Sequence, residues 1–288
     1  MLPMRKCFVS LLSASFALAG YAAFETATYY VDAARAKILD ELESSILPKM
    51  EAVTNDPRDY FVQMTRALVL MRKGKDARKA ARDALVVASA ARPDVNVVGD
   101  MILNLDIELN QPEDAEKHAR QILRKDRGNA LANYVMGSLR LKEGDYMTAE
   151  TFLRLSVQTE KPVAAAQNDL AECLRRLQRP AEAEQFARAA IKNRPDLYVA
   201  WETLGSVLLD QKKELDEAEK CVAEAIRLAK SSKVEDVRMQ LTLARVQIAK
   251  GDLGRARGTI RQIRSHQKEL TKYDLGELDK LQRSIKGK

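Results

Sequence analysis

The sequence predicts an all-α chain built as a solenoid of stacked helix-turn-helix pairs. Three observations lead there. Ala, Leu, Glu, Lys and Arg abound, side chains that lose little rotamer freedom in a helix, while 12 Gly and 8 Pro in 288 residues leave few breaks. An alanine follows a short polar break at Ala80, Ala115, Ala149, Ala183, Ala218 and Ala256, at intervals of 34 to 38 residues. About twelve positions before several of these, a small residue (Gly137, Ala171, Gly205, Ala244) interrupts an apolar stripe. Repetition at this period signals a stacked array, and small side chains let paired helices cross closely.

At the N-terminus, Arg5 and Lys6 precede a run without charge from Cys7 to Phe24, with small residues at Ala17 and Ala19. That is the layout of a secretory signal peptide. The run is also at the short limit for a membrane-spanning helix, and its serines and alanines suit an ordinary packed helix. All three readings stay open, with residues 1–24 expected to be a signal peptide or membrane anchor. The corresponding location is exported, periplasmic or membrane-anchored, with a cytoplasmic chain as the alternative.

Residues 25–57 form a leading helical segment. Its stripe at four-residue spacing (Tyr30, Ala34, Ile38, Leu42, Ile46) stops near Pro48 and is expected to cover the first repeat. Residues 58–268 hold about six helical hairpins, whose turns read KGKDARKA, NQPEDA, EGDYMTA, QRPAEA, KKELDEA and KGDLGRA. Pro112 and Pro180 suit the first turn of the second helix, where the missing N–H has no intrahelical partner. Gly144 and Gly251 suit a left-handed helix end, and Asp145 and Asp252 suit the next helix start. Residues 269–288, with Tyr273, Leu278, Leu281 and Ile285 among many charges, make a C-terminal capping helix of the kind an array needs.

These copies resemble the tetratricopeptide repeat (TPR) family. The clearest is WETLGSVLLDQKKELDEAEKCVAEAI, with Trp201, Leu204, Gly205, Leu208, Ala218, Val222 and Ala225 at or near the family's signature places. One extra residue in its turn explains a 35-residue step. LANYVMGSLRLKEGDYMTAETFLRLS and NDLAECLRRLQRPAEAEQFARAAIKNRP, the latter ending on Pro195, are further copies. The copy near 96–129 departs by placing Leu103 where a small residue is usual, and the copy near 60–93 is offset by one.

The resemblance implies a right-handed α-solenoid with N- and C-terminal capping helices, whose first helices line a concave surface. It further implies a non-catalytic adaptor or scaffold for protein–protein interaction. Mapped onto this chain, the lining residues are Asp100, Asn104, Tyr134, Ser138, Asn168, Glu172, Arg175 and Glu202. Amides and a tyrosine among charges suit an extended peptide or the face of a helix; the alternative for each is a solvated position. Glu172 and Glu202 would repel a carboxylate tail, so a carboxylate clamp is not expected.

Charge narrows the partner. The net charge of +7 arises from 48 basic against 41 acidic residues, interspersed along the chain, so a mixed solvated surface is expected and nucleic acid is not. Glu116 with Arg120, Glu150 with Arg154 and Glu184 with Arg188 are i,i+4 pairs, each worth about 0.2–0.5 kcal/mol. A phosphate rail of Arg120, Arg154, Arg188 and Arg261 would not carry its own neutralising row. Trp201 reads as a packing residue. Membrane association through residues 7–24 stays open. So do two alternative functions, a cytoplasmic regulator with nucleic-acid contacts and a helper module of a separate enzyme.

Catalytic chemistry has little material here. Cys7, Cys173 and Cys221 form no CxxC, and His118 and His266 are the only histidines; Cys173 and Cys221 suit buried, small-hydrophobe roles. No nucleophile elbow, phosphate-cradling glycine loop or HExxH is present, and Glu217 and Glu219 lie on a helix face where solvation is the default. The chain is expected not to be an enzyme and to need no cofactor or metal.

Overall fold

A computed structural model of the chain describes residues 40–53, 56–160, 162–231, 237–265 and 270–286. Among these residues every regular element is helical. The expected signal peptide or anchor lies outside them. No helix among the described residues is long and apolar enough to cross a membrane.

The chain divides into two compact units, one up to His118 and one from Ala119. The first holds α1 (Leu47–Val53), α2 (Tyr60–Arg72), α3 (Arg78–Ala91), α4 (Asn96–Glu108) and the start of α5 (Pro112–Lys125). Here α2 packs on α3 and α3 on α4. Asp59 caps α2, its carboxylate accepting from the backbone N–H groups of Phe61 and Val62. The core gathers Ala81, Leu85 and Ala88 of α3 with Val98, Ile102 and Leu105 of α4.

Two expectations for this unit need correction. The leading helix does not stop at Pro48: a π-helical turn, Leu42–Ile46, runs directly into α1. Proline lacks an N–H and its ring crowds the preceding turn; widening that turn lets the helix pass. Leu42 keeps its buried place, whereas Tyr30, Ala34 and Ile38 lie outside the described residues. The first of the periodic alanines is not Ala80, which is exposed, but Ala81, which is fully buried. The corner before it passes through Gly74 at φ 98° and a 3-10 turn, Lys75–Ala77, and this shifts the register of α3.

The second unit holds α6 (Ala130–Glu143), α7 (Tyr146–Val157), α8 (Ala164–Arg176), α9 (Pro180–Asn193), α10 (Tyr198–Gln211), α11 (Leu215–Ser231), α12 (Val237–Ala249), α13 (Leu253–Ser265) and α14 (Lys272–Lys286). Four hairpins follow one another: α6 with α7, α8 with α9, α10 with α11, and α12 with α13. Within a hairpin the small residues do what their spacing requires. A Cβ on Gly137 would sit 2.6 Å from Leu153 Cγ, and one on Gly205 would sit 2.5 Å from Val222 Cγ2 and 3.1 Å from the Ala218 carbonyl oxygen. Ala149, Ala183, Ala218 and Ala256 are all fully buried. Leu278, Leu281 and Ile285 of α14 close the array over Leu241, Ala244, Ile260 and Ile263.

The corners share one geometry. Asn110, Gly144, Gln178, Lys212 and Gly251 all take a left-handed backbone, with φ between 54° and 84°. Each donates its N–H to the carbonyl three residues back, and the following residue donates to the carbonyl five back, as Asp145 does to Arg140. This is the Schellman arrangement, which satisfies carbonyls orphaned at a helix end. Asp145 and Asp252 then cap the next helix, accepting from the N–H of Thr148 and Arg255.

Candidate functional site

In the second unit the first helices lie side by side, α6 against α8, α8 against α10, and α10 against α12. A repeat of 34 residues sets side chains level on successive helices. Tyr134, Asn168 and Glu202 form one such row, and Ser138, Glu172 and Ser206 the next. Six of the predicted lining residues are thus brought together: Tyr134, Ser138, Asn168, Glu172, Arg175 and Glu202. Asn168 is 7% exposed, and the other five are half-buried.

Hydrogen bonds run across this face from helix to helix. Arg175 forks onto Glu172, with its Nε 2.8 Å from Oε2 and its Nη2 2.9 Å from Oε1, and reaches Asp210 of α10 through Nη1 at 2.9 Å. Arg176 adds a bond to Glu172 at 2.7 Å. Burial works against ionising Glu172, but these guanidinium groups outweigh it and hold its carboxyl below the usual range. Glu202 is the reverse case. Burial, then the nearby charge of Glu172, push its carboxyl up against the bonds from Thr242 and Ser206. Asp169 behaves alike: burial raises it, opposed by bonds from Ser138 and Asn168.

Asp169, Ser206, Asp210 and Thr242 belong to this face and were missed by the sequence reading. Asp210 had a signal, an acid about one repeat beyond Arg175. Asp169 had none, because it lies about 100° around the helix from Asn168.

In the first unit, Asp100 and Asn104 stand one turn apart on α4, both half-buried. The polar centre of that unit lies elsewhere. Asp106, fully buried, accepts from Arg82 Nε of α3 at 2.5 Å and pairs with His118 Nδ1 of α5 at 2.6 Å. Arg82 also reaches Asp114 at 2.6 Å. A buried carboxylate is tolerable when paired and hydrogen-bonded in this way.

Known proteins place this geometry. Residues 166–284 match a family described as a domain of unknown function, DUF7017. Protein O-mannosyl-transferase Tmtc3 of Drosophila melanogaster is 29% identical over 101 residues, which are 35% of this chain and 11% of that one. PilW, a widely conserved type IV pilus biogenesis factor, superposes with a TM-score of 0.56 at 14% identity, covering 77% of this chain and 97% of its own. YrrB, a TPR protein with an unusual peptide-binding site, superposes at 0.51 with 17% identity, covering 66% and 100%. The fold is that of the tetratricopeptide repeat.

The second helices α7 and α9 of these TPR hairpins carry two rungs of the expected charge ladder and extend them. Arg154 binds Glu150 at 2.7 Å and also Glu182 of the next repeat. Arg188 binds Glu184 at 2.8 Å and Glu217 of the next repeat at 2.7 Å. Arginines so engaged form a self-neutralised ion-pair network. Trp201 packs into the core and donates its Nε1–H to the Pro195 carbonyl at 2.8 Å. Cys173 and Cys221 are free and buried. Burial pushes their thiols up to about 12 and about 11, far from the reactive thiolate range.

Proposed function

We propose that this chain is a non-catalytic adaptor that holds a segment of another protein along the first-helix face of its TPR hairpins, in a bacterial-type cell envelope. The observation that carries the reading is the pair of level rows, Tyr134–Asn168–Glu202 and Ser138–Glu172–Ser206, presented by adjacent helices. Such a surface offers hydrogen-bonding groups at a regular pitch to an extended backbone or a helix face. YrrB, a protein of the same fold described as having an unusual peptide-binding site, supports the reading. PilW, a pilus biogenesis factor, supports the envelope setting, as does the signal-like pattern of residues 1–24. The buried, raised thiols favour a structural role over nucleophilic catalysis.

The test is affinity capture of the full chain from its native cell. A discrete protein partner is expected, and Tyr134→Ala combined with Asn168→Ala should abolish its capture. Retention by that double variant would remove this face from the function. The envelope setting has its own check in N-terminal sequencing of the native protein. A start at Gly20 is expected; an intact Met1 in the soluble fraction overturns export.

A further inference from the structure

We infer that the segment held on this face presents a cationic hydrogen-bond donor, a guanidinium or ammonium group, to Asn168 and Glu202. The inference rests on the adaptor reading and specifies the chemistry of the guest.

The argument is an accounting of donors and acceptors. Asn168 donates weakly through Nδ2 to Asp169 Oδ1 at 3.3 Å, while its Oδ1 is buried and has no hydrogen-bond partner. Glu202 receives bonds on Oε1 alone, from Ser206 at 3.3 Å and Thr242 at 3.2 Å. The Thr242 hydroxyl also lies 3.0 Å from the Arg238 carbonyl, and its single hydrogen serves one of the two. Among the described residues, no cation forms an ion pair with Glu202 or Asp169. Arg175 is close but committed, bridging Glu172 and Asp210.

Buried acceptors without donors are rare in folded proteins and call for an explanation. Of the pair, Asn168 Oδ1 is the buried orphan; Glu202, one repeat away on the adjacent helix, has an Oε2 that takes no hydrogen bond from the described residues. A neutral donor would satisfy the amide oxygen but leave the carboxylate with no ion-pair partner of its own. A guanidinium offers both, because its several N–H groups bond an amide and a carboxylate together. Tyr134, level with these two on α6, is half-buried and packs against the hairpin core, which fixes its place in the row.

The probe is N-acetyl-arginine amide titrated into the full chain, followed by the NMR signal of the Asn168 side-chain amide. A saturable shift is expected. It should be at least fivefold weaker with the neutral isostere N-acetyl-citrulline amide, and lost in Glu202→Gln, with thermal unfolding confirming that this variant is folded. An equal response to citrulline, an undiminished response in Glu202→Gln, or no saturable shift overturns the inference. Its failure is separable from that of the adaptor reading. A partner captured through Tyr134 and Asn168, with no arginine response, sinks the cation and leaves the adaptor standing.

Discussion

Glu202 shows how one side chain can work against the fold that carries it. Its carboxyl is raised by burial and by the charge of Glu172, so ionisation is harder in the folded chain than in the unfolded one. A raised carboxyl contributes stability that is fully present below its unfolded value and lost as pH rises through the folded value. Glutamine at this place keeps the shape and does not ionise. Glu202→Gln should therefore match the native chain in acid and become more heat-stable than it as pH rises above about 4. Thermal unfolding across that range checks the sign; a gap that narrows with rising pH refutes it. Groups with shifted ionisation gather at functional sites, and this one lies on the face proposed to hold a partner.

Each hairpin depends on its closest crossing. At Gly205 the neighbouring helix leaves no room for even a methyl group, since a Cβ would meet both Val222 and the Ala218 backbone. Gly205→Ala should destabilise the chain by about 1–3 kcal/mol through overpacking, measured by urea unfolding. An unchanged midpoint would mean that the hairpin has slack. Much of this level was legible beforehand because the determinants are local: Asp145, Asp252, Gly144, Gly251 and the alanine row announce caps, corners and crossings by position. What escaped the sequence was settled by neighbours. Ala81 displaced Ala80 because a 3-10 turn rotated α3. The helix passed Pro48 because a π turn made room for the ring. Asp106 hid in an apolar helix, and its partners Arg82 and His118 come from two other helices. The candidate face divides the same way. Its rows follow from the repeat period, whereas Asp169 and Thr242 join it only through contacts between helices.

For the whole molecule, stability in a repeat array is carried between neighbours, so a missing end exposes what it covered. In the second unit α14 buries Leu278, Leu281 and Ile285 against the last hairpin, and each such side chain contributes about 1.5–3 kcal/mol. A chain ending after Ser265 should melt at least about 5 °C lower and scatter light on heating, as Ile260 and Ile263 meet water. An unaltered melting temperature would show that the last hairpin needs no cover. The corners tell a complementary story. Asn110, Gln178 and Lys212 adopt the left-handed backbone without being glycine, and where the α10–α11 corner gains a residue, Glu214 takes a second such conformation at φ 47°. Length variation is thereby confined to the bend, and the rods on either side keep their mutual alignment. Evolution could thus edit these elbows, or an engineer splice a tag into one, while the rows of the candidate face hold their pitch.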